Sequence, residues 1–306
     1  MRKIILAITA ILFLSFSSQT TAQDISKLIG LNYGPYTMTE QDPNKGILIG
    51  YQQIYDHISK LSLYTYWVRT FSCTNGLENI GPIAHSFGMR VIAGGWFGKD
   101  KNQNEIELDA LISVCSKGHA DIAVLGSETL QRGDLTGSEL IGYINRFQQA
   151  VPGFPVVVAD TYNALLANPD VVNASDAVML NIYPFWDGID ISNAVFNLRG
   201  AYYSFKYHFP DKLIIIGETG WPSDGDITGA AVPSPINAAF YLCNVMSWAR
   251  TENVIIFPFE AFDEPWKAAY EGPRGSHWGI WDKDGNLKQY MDYTFEGYIL
   301  PSTYWK

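Results

Sequence analysis

Cysteine is scarce in this chain: Cys73, Cys115 and Cys243 are the only three among 306 residues. The number is odd, the spacing is wide, and no Cys-x-x-Cys pair occurs, which excludes a disulfide framework and a thiolate zinc site. Cys115 and Cys243 sit among apolar residues at helical spacing and read as small buried hydrophobes. The five histidines are scattered, and no His-Glu-x-x-His sequence is present, so no catalytic metal and no cofactor is expected. Gly126-Ser127-Glu128 lacks the closing glycine of a nucleophile elbow, which leaves an elbow-type serine hydrolase without support. Positive charge is also in short supply. Lys and Arg number 21 against 31 Asp and Glu, for a net charge of −10, and such a chain repels phosphate backbones; no nucleic-acid partner is expected.

Long apolar runs are missing, apart from one at the N-terminus. Arg2 and Lys3 precede an apolar run over residues 4–16, and small residues follow as far as Ala22. This pattern predicts a signal peptide over 1–22, removed after Ala22; an anchor that stays attached is the alternative. The run is shorter than a good membrane span. The expectation is an exported protein, periplasmic or secreted, with no membrane association after leader removal. No Cys lies near the cut, so a lipoprotein is not indicated. No linker or charge run divides residues 23–306, which predicts one domain there, and a monomer.

Aromatic residues are plentiful, at 14% of the chain. Rings of this kind fill any core, and the surplus also suits a cleft in which sugar rings stack. Eight short, nearly continuous apolar runs, rich in β-branched and aromatic residues, recur at 28–34, 66–72, 90–97, 120–128, 155–161, 177–184, 212–219 and 253–262. Runs of this length and character fit parallel strands buried on both faces. Helical periodicity separates them, as in Leu140-Tyr143-Ile144-Phe147 and Ala194-Val195-Leu198-Tyr202-Phe205. Alternation on this scale predicts a single (β/α)8 TIM barrel. The rival, an open doubly wound sheet, usually carries a Gly-x-Gly-x-x-Gly turn after its first strand, and here Asn32-Tyr33-Gly34-Pro35-Tyr36 stands instead.

In such a barrel the active site lies at the carboxyl ends of the strands. Those ends supply Tyr33, Arg69, Trp96, Glu128, Asp160, Tyr183 and Glu218, followed by Phe259 through Glu264. Glu128 and Glu218 terminate the fourth and seventh runs, on opposite walls of an eight-stranded ring. A single carboxylate ending an apolar strand is most simply a satisfied structural group. Two that face one another across the mouth point to catalysis. Glycoside hydrolysis needs such a pair, one protonated to release the leaving group and one to meet charge at the anomeric carbon. Arg69 would hold one of them ionised. Trp221, Trp186, Phe259 and Phe262 follow strand ends and are candidates for sugar stacking, with core packing the alternative for each.

The stretches Ile216-Gly217-Glu218-Thr219-Gly220-Trp221-Pro222-Ser223 and Phe259-Glu260-Ala261-Phe262-Asp263-Glu264-Pro265-Trp266-Lys267 resemble glycoside hydrolase family 17, the β-1,3-glucanases and β-1,3-glucan transglycosylases. The resemblance extends to Asn32-Tyr33-Gly34, Arg69-Thr70-Phe71-Ser72, Val124-Leu125-Gly126-Ser127-Glu128, Asn181-Ile182-Tyr183-Pro184 and His277-Trp278-Gly279-Ile280. It implies a retaining mechanism on a (β/α)8 barrel acting on β-1,3-glucan, with Glu128 as acid/base and Glu218 as nucleophile. It further implies that Tyr33, Tyr183, Trp221, Glu264 and Lys267 line the glucose subsites and that Arg69 supports the nucleophile. Ser127 stands where many members carry Asn, whose amide meets the sugar 2-hydroxyl; a bridging water or another donor would restore that contact. Asp263 reads as a structural loop carboxylate, Glu260 as either structural or functional, and Glu271 as a weaker candidate. Three functions remain in view: an endo-hydrolase, a transglycosylase and a non-catalytic glucan-binding protein. Both carboxylates being intact counts against the last.

Overall fold

The computed structural model describes residues 26–297, 299–301 and 303, so the expected leader lies outside the described residues. Eight parallel strands run in chain order: β1 (Leu28–Asn32), β2 (Thr65–Arg69), β3 (Arg90–Gly95), β4 (Ile122–Ser127), β5 (Val156–Thr161), β6 (Ala177–Asn181), β7 (Leu213–Thr219) and β8 (Ile256–Pro258). The ring closes where Ala261 donates its N–H to the carbonyl of Asn32 at 2.9 Å. The Asn32 side chain completes this seam by donating to the carbonyls of Gly217, Phe257 and Pro258. The chain thus forms the (β/α)8 TIM barrel that its alternation of strand and helix predicts.

Every expected run coincides with a strand, and all strands but β5 and β7 end one to four residues before the apolar run does. The surplus residues at those six carboxyl ends leave the ladder at the mouth of the barrel. Trp67, Ile92, Val124, Val157, Met179, Ile215 and Phe257 fill the barrel interior. A second, larger apolar layer lies between the sheet and the helices that surround it. Those helices are α1 (Tyr51–Leu61), α2 (Ile80–Ser86), α3 (Lys101–Ser116), α4 (Gly137–Ala150), α5 (Tyr162–Ala167), α6 (Pro169–Ala174), α7 (Ile191–His208), α8 (Pro235–Glu252) and a short α9 (Ala268–Glu271).

Local chemistry sets where the helices begin. Asp100 accepts from the backbone of Asn102 and Gln103 at the start of α3, and Thr136 with Glu139 forms a reciprocal capping box on α4. Ser234 caps α8, with Pro235 in its first turn, and Asn253 ends it at φ +54°. Among the described residues no helix is long and apolar enough to cross a membrane. Cys115 is buried and Cys243 half-buried, and both are free thiols.

Candidate active site

The ends of β4 and β7 place Glu128 and Glu218 in one cleft of about 810 Å³ across the barrel mouth. β4 reaches the cleft through a register shift between Val124 and Ser127. Gly126 makes this turn at φ +79°, where a Cβ would lie 2.6 Å from Thr129 Oγ1. Glu128 follows at φ +53°, in the left-handed region. A non-glycine residue held there is strained by about 1–3 kcal/mol, and the surrounding bonds must maintain it. Those bonds run from Glu128 N–H to Ala159 O at 3.0 Å and from Arg132 N–H to Glu128 O at 2.9 Å.

The two carboxylates have different surroundings. Glu218 is the more heavily bonded. Arg69 Nη1 donates to its Oε1 at 2.6 Å, Ser127 Oγ donates to the same oxygen at 3.3 Å, and Tyr183 Oη donates to Oε2 at 2.9 Å. Arg69 is fully buried and held in turn by Asn32 Oδ1 at 2.9 Å, with the Phe71 ring against its guanidinium at 4.7 Å. Three donors, one of them cationic, stabilise negative charge on Glu218. Among the described residues Glu128 receives one side-chain donor, the Asn181 amide, at 3.0 Å. Burial, and then the neighbouring Glu218 charge, push its carboxyl up to about 7, against the opposing pull of Asn181. The cationic donor thus meets Glu218, and the raised carboxyl is Glu128.

A cluster of further acidic groups flanks the cleft. Lys267 is buried between Glu260 and Glu264, lying 2.8 Å from Glu264 Oε2 and bonded also to Glu260 Oε2. Burial raises the Glu260 carboxyl well above its usual range, with Lys267 opposing. Burial alone would lower the Lys267 ammonium, yet Glu260 and then Glu264 raise it overall. Glu264 accepts the Tyr36 N–H at 3.1 Å, and Gly34 leaves room for it: a Cβ there would lie 2.2 Å from Glu264 Oε1. Glu264, Lys267 and Glu271 line the cleft, and Glu271 accepts the Trp278 indole N–H at 2.9 Å. Asp263 instead ties loops together, accepting from Gly279 N–H at 2.8 Å and from Lys288 Nζ at 2.5 Å.

Two of the aromatic residues expected in the cleft lie outside it. Trp221 is 3% exposed, packed between Phe185 and Tyr241, with its indole N–H on Val232 O at 3.0 Å. The chain leaves β7 toward α8, so this ring sits behind the barrel wall. Phe262 is buried against Tyr33, His57 and Trp281, because the backbone after β8 folds back onto Asn32 and turns the ring toward α1. Tyr33 borders the cleft but is itself fully buried, its hydroxyl 3.2 Å from His57 Nδ1. Trp186, Phe259, Trp266 and Trp278 do line the cleft, as does Tyr183.

Sequence reasoning passed over Asn181 as a functional side chain. Its signal was available, since it opens the Asn-Ile-Tyr-Pro stretch at the end of the sixth run. In the sheet it stands opposite Glu218, so that one residue neighbours both carboxylates.

A (β/α)8 barrel whose mouth holds two differently bonded carboxylates in an aromatic-lined cleft is a glycosidase scaffold by geometry. A family profile described as the BtgE/BtgC glycoside hydrolase domain matches residues 30–279. The glucan 1,3-β-glucosidase of Saccharomyces cerevisiae is 31% identical over 274 residues, covering 78% of this chain and 84% of that protein. The glucan 1,3-β-glucosidase of Candida albicans is 32% identical over 258 residues, covering 74% and 82%. The family 17 β-1,3-glucanosyltransferase of Rhizomucor miehei superposes with a TM-score of 0.77 at 28% identity, covering 88% of this chain and 98% of that one. An active-site mutant of that enzyme has been solved in complex with laminaritriose. The chain belongs to glycoside hydrolase family 17.

Proposed function

We propose that this protein is a retaining endo-glycosidase of β-1,3-glucan, with Glu218 as nucleophile and Glu128 as acid/base. The observation that carries the reading is the unequal bonding of the two carboxyls: a guanidinium and two hydroxyls on Glu218, and a single amide on Glu128 with its carboxyl raised to about 7. The Glu218 carboxylate attacks the anomeric carbon, while Glu128 gives its proton to the departing glycosidic oxygen. A glycosyl ester forms and the shortened glucan leaves. Glu128, now ionised, takes a proton from water, whose oxygen attacks the same carbon and releases Glu218. Ser127, Tyr183, Glu264 and Lys267 would contact the bound sugars, while Arg69 and Tyr33 would act from beneath the floor.

A second reading is favoured by the likeness to the Rhizomucor miehei glucanosyltransferase. In that case a glucan hydroxyl replaces water in the second step. Mass spectrometry of the products from one purified β-1,3-gluco-oligosaccharide decides between them. Products that are only shorter support hydrolysis, whereas products longer than the substrate require transfer. No cleavage across a range of β-1,3-glucans would sink both readings and leave a binding protein.

A further inference from the structure

Trp96 lies in the loop after β3, lines the cleft, and is 42% exposed. Ordinary surface tryptophans need no support, yet this one is held from three directions. Its backbone N–H donates to Glu107 Oε2 at 3.1 Å, and Glu107 is itself 3% exposed and bonded to the hydroxyls of Ser72 and Thr74. Two residues on, Gly98 exchanges a reciprocal pair of 2.8 Å bonds with the buried amide of Asn104, fixing the loop to α3. Between them Phe97 is fully buried and stacks on Tyr143 at 4.8 Å. The indole's own ring is covered on one side by the Arg132 guanidinium at 4.5 Å. That guanidinium is in turn fixed to Ser127 O, Phe97 O and Asp134 Oδ2.

Burying the Glu107 carboxylate is unfavourable, and desolvation raises it above its usual range. Folding alone gains little from a buried acid whose bonds fix the loop backbone that carries a half-exposed indole. A preorganised aromatic face in a sugar-binding cleft gains affinity, because the ordering entropy is already lost before the ligand arrives. Trp96 bonds to neither carboxyl, and Arg132 stands between it and the Ser127–Glu128 backbone. We infer that the open face of Trp96 is a stacking platform for a pyranose ring of the substrate at least one unit removed from the cleaved bond, with Arg132 as the residue that positions it. The inference rests on the glycosidase reading above.

Calorimetric titration of the full chain carrying Glu218→Ala, with β-1,3-linked gluco-oligosaccharides of two to six units, tests it. Adding Trp96→Ala should leave the shortest ligand's affinity unchanged and weaken the longest by about tenfold, the scale of one lost stacking face. Trp96→Phe should recover most of that loss. In the active enzyme, Arg132→Gln should copy the chain-length effect and also move the alkaline arm of the pH–rate profile upward, because Arg132 charge lowers the Glu128 carboxyl. Equal affinities at every length in Trp96→Ala, or an equal loss at every length, would overturn the platform. Unchanged chain-length dependence and pH profile in Arg132→Gln would overturn its positioning role. Absence of any binding to the Glu218→Ala parent would instead sink the glycosidase reading itself.

Discussion

Asn181 donates its side-chain amide to Glu128 Oε1 at 3.0 Å from the strand position directly opposite Glu218. Its own carbonyl oxygen is buried with no partner among the described residues. Turned over, the same amide offers that oxygen to a protonated Glu128, so one side chain can serve the acid in both of its charge states. The acid/base role proposed for Glu128, which alternates between proton donor and acceptor, calls for such a partner.

Asn181→Ala should therefore lower kcat more than it raises KM. The bond from Asn181 favours the charged form of Glu128, so its loss should raise the Glu128 carboxyl above about 7 and shift the alkaline arm of the profile upward. Asn181→Asp should shift it further, by adding a like charge. A pH–rate series on both variants checks this, and an arm that stays in place would show that the amide does not govern the proton.

Glu128 also has a stability signature. Its carboxyl rises from 4.5 in the unfolded chain to about 7 in the folded one, so the folded state holds the proton more tightly. That contribution is complete below pH 4.5 and is lost as pH rises through 7. Glu128→Gln removes the titration and should raise the melting temperature relative to wild type at pH 8, with little gain at pH 4. Equal gains at both values would show that the effect is packing and not ionisation.

The barrel could be read from the sequence because its strands are buried on both faces and so appear as eight nearly continuous apolar runs. The carboxylates stood out because each ends such a run. The side-chain direction of an aromatic residue past a strand end was not legible. Trp221 and Phe262 follow their strands much as Trp186 and Phe259 do, yet the backbone turns the first two behind the wall and the last two into the cleft. Glu107 carried no signal either, since an acid on α3 looks like any solvated helix position until the loops from β2 and β3 converge on it. Such arrangements depend on loop paths, which periodicity does not encode.

Trp221→Ala and Phe262→Ala should act on stability and not on substrate contact. Each truncates a buried ring, and removals of this kind destabilise by about 3–5 kcal/mol. Denaturant unfolding should register the loss, while KM of the remaining folded protein should stay near that of wild type. A raised KM at unchanged stability would return either ring to the cleft.

Arg69→Lys should be far from conservative. The guanidinium bonds Asn32 and Ser127 as well as Glu218, and an ammonium on a shorter reach cannot span all three. Lysine keeps the charge but leaves buried hydrogen-bond partners unmet, at about 1–3 kcal/mol for each such group, so both folding and activity should fall. Calorimetric melting alongside kcat/KM measures the two losses. A variant with normal kinetics would remove Arg69 from any supporting role.

The roles of the two glutamates can be separated by chemical rescue. Glu128→Ala removes the proton donor, so glucans with poor leaving groups should be cleaved very slowly. Aryl glucosides that occupy the cleft and leave without a proton should still form the glycosyl ester on Glu218. Added azide would then enter the space left by Glu128, attack that ester from the face opposite Glu218, and give a β-glycosyl azide. Glu218→Ala should abolish turnover of both substrates, since no ester can form. Azide bound in its place would attack the substrate directly, with inversion, and yield the α-glycosyl azide. Product anomers distinguished by NMR settle the assignment: the α product from Glu128→Ala and the β product from Glu218→Ala would reverse the two roles, and no azide adduct from either would overturn the double-displacement mechanism.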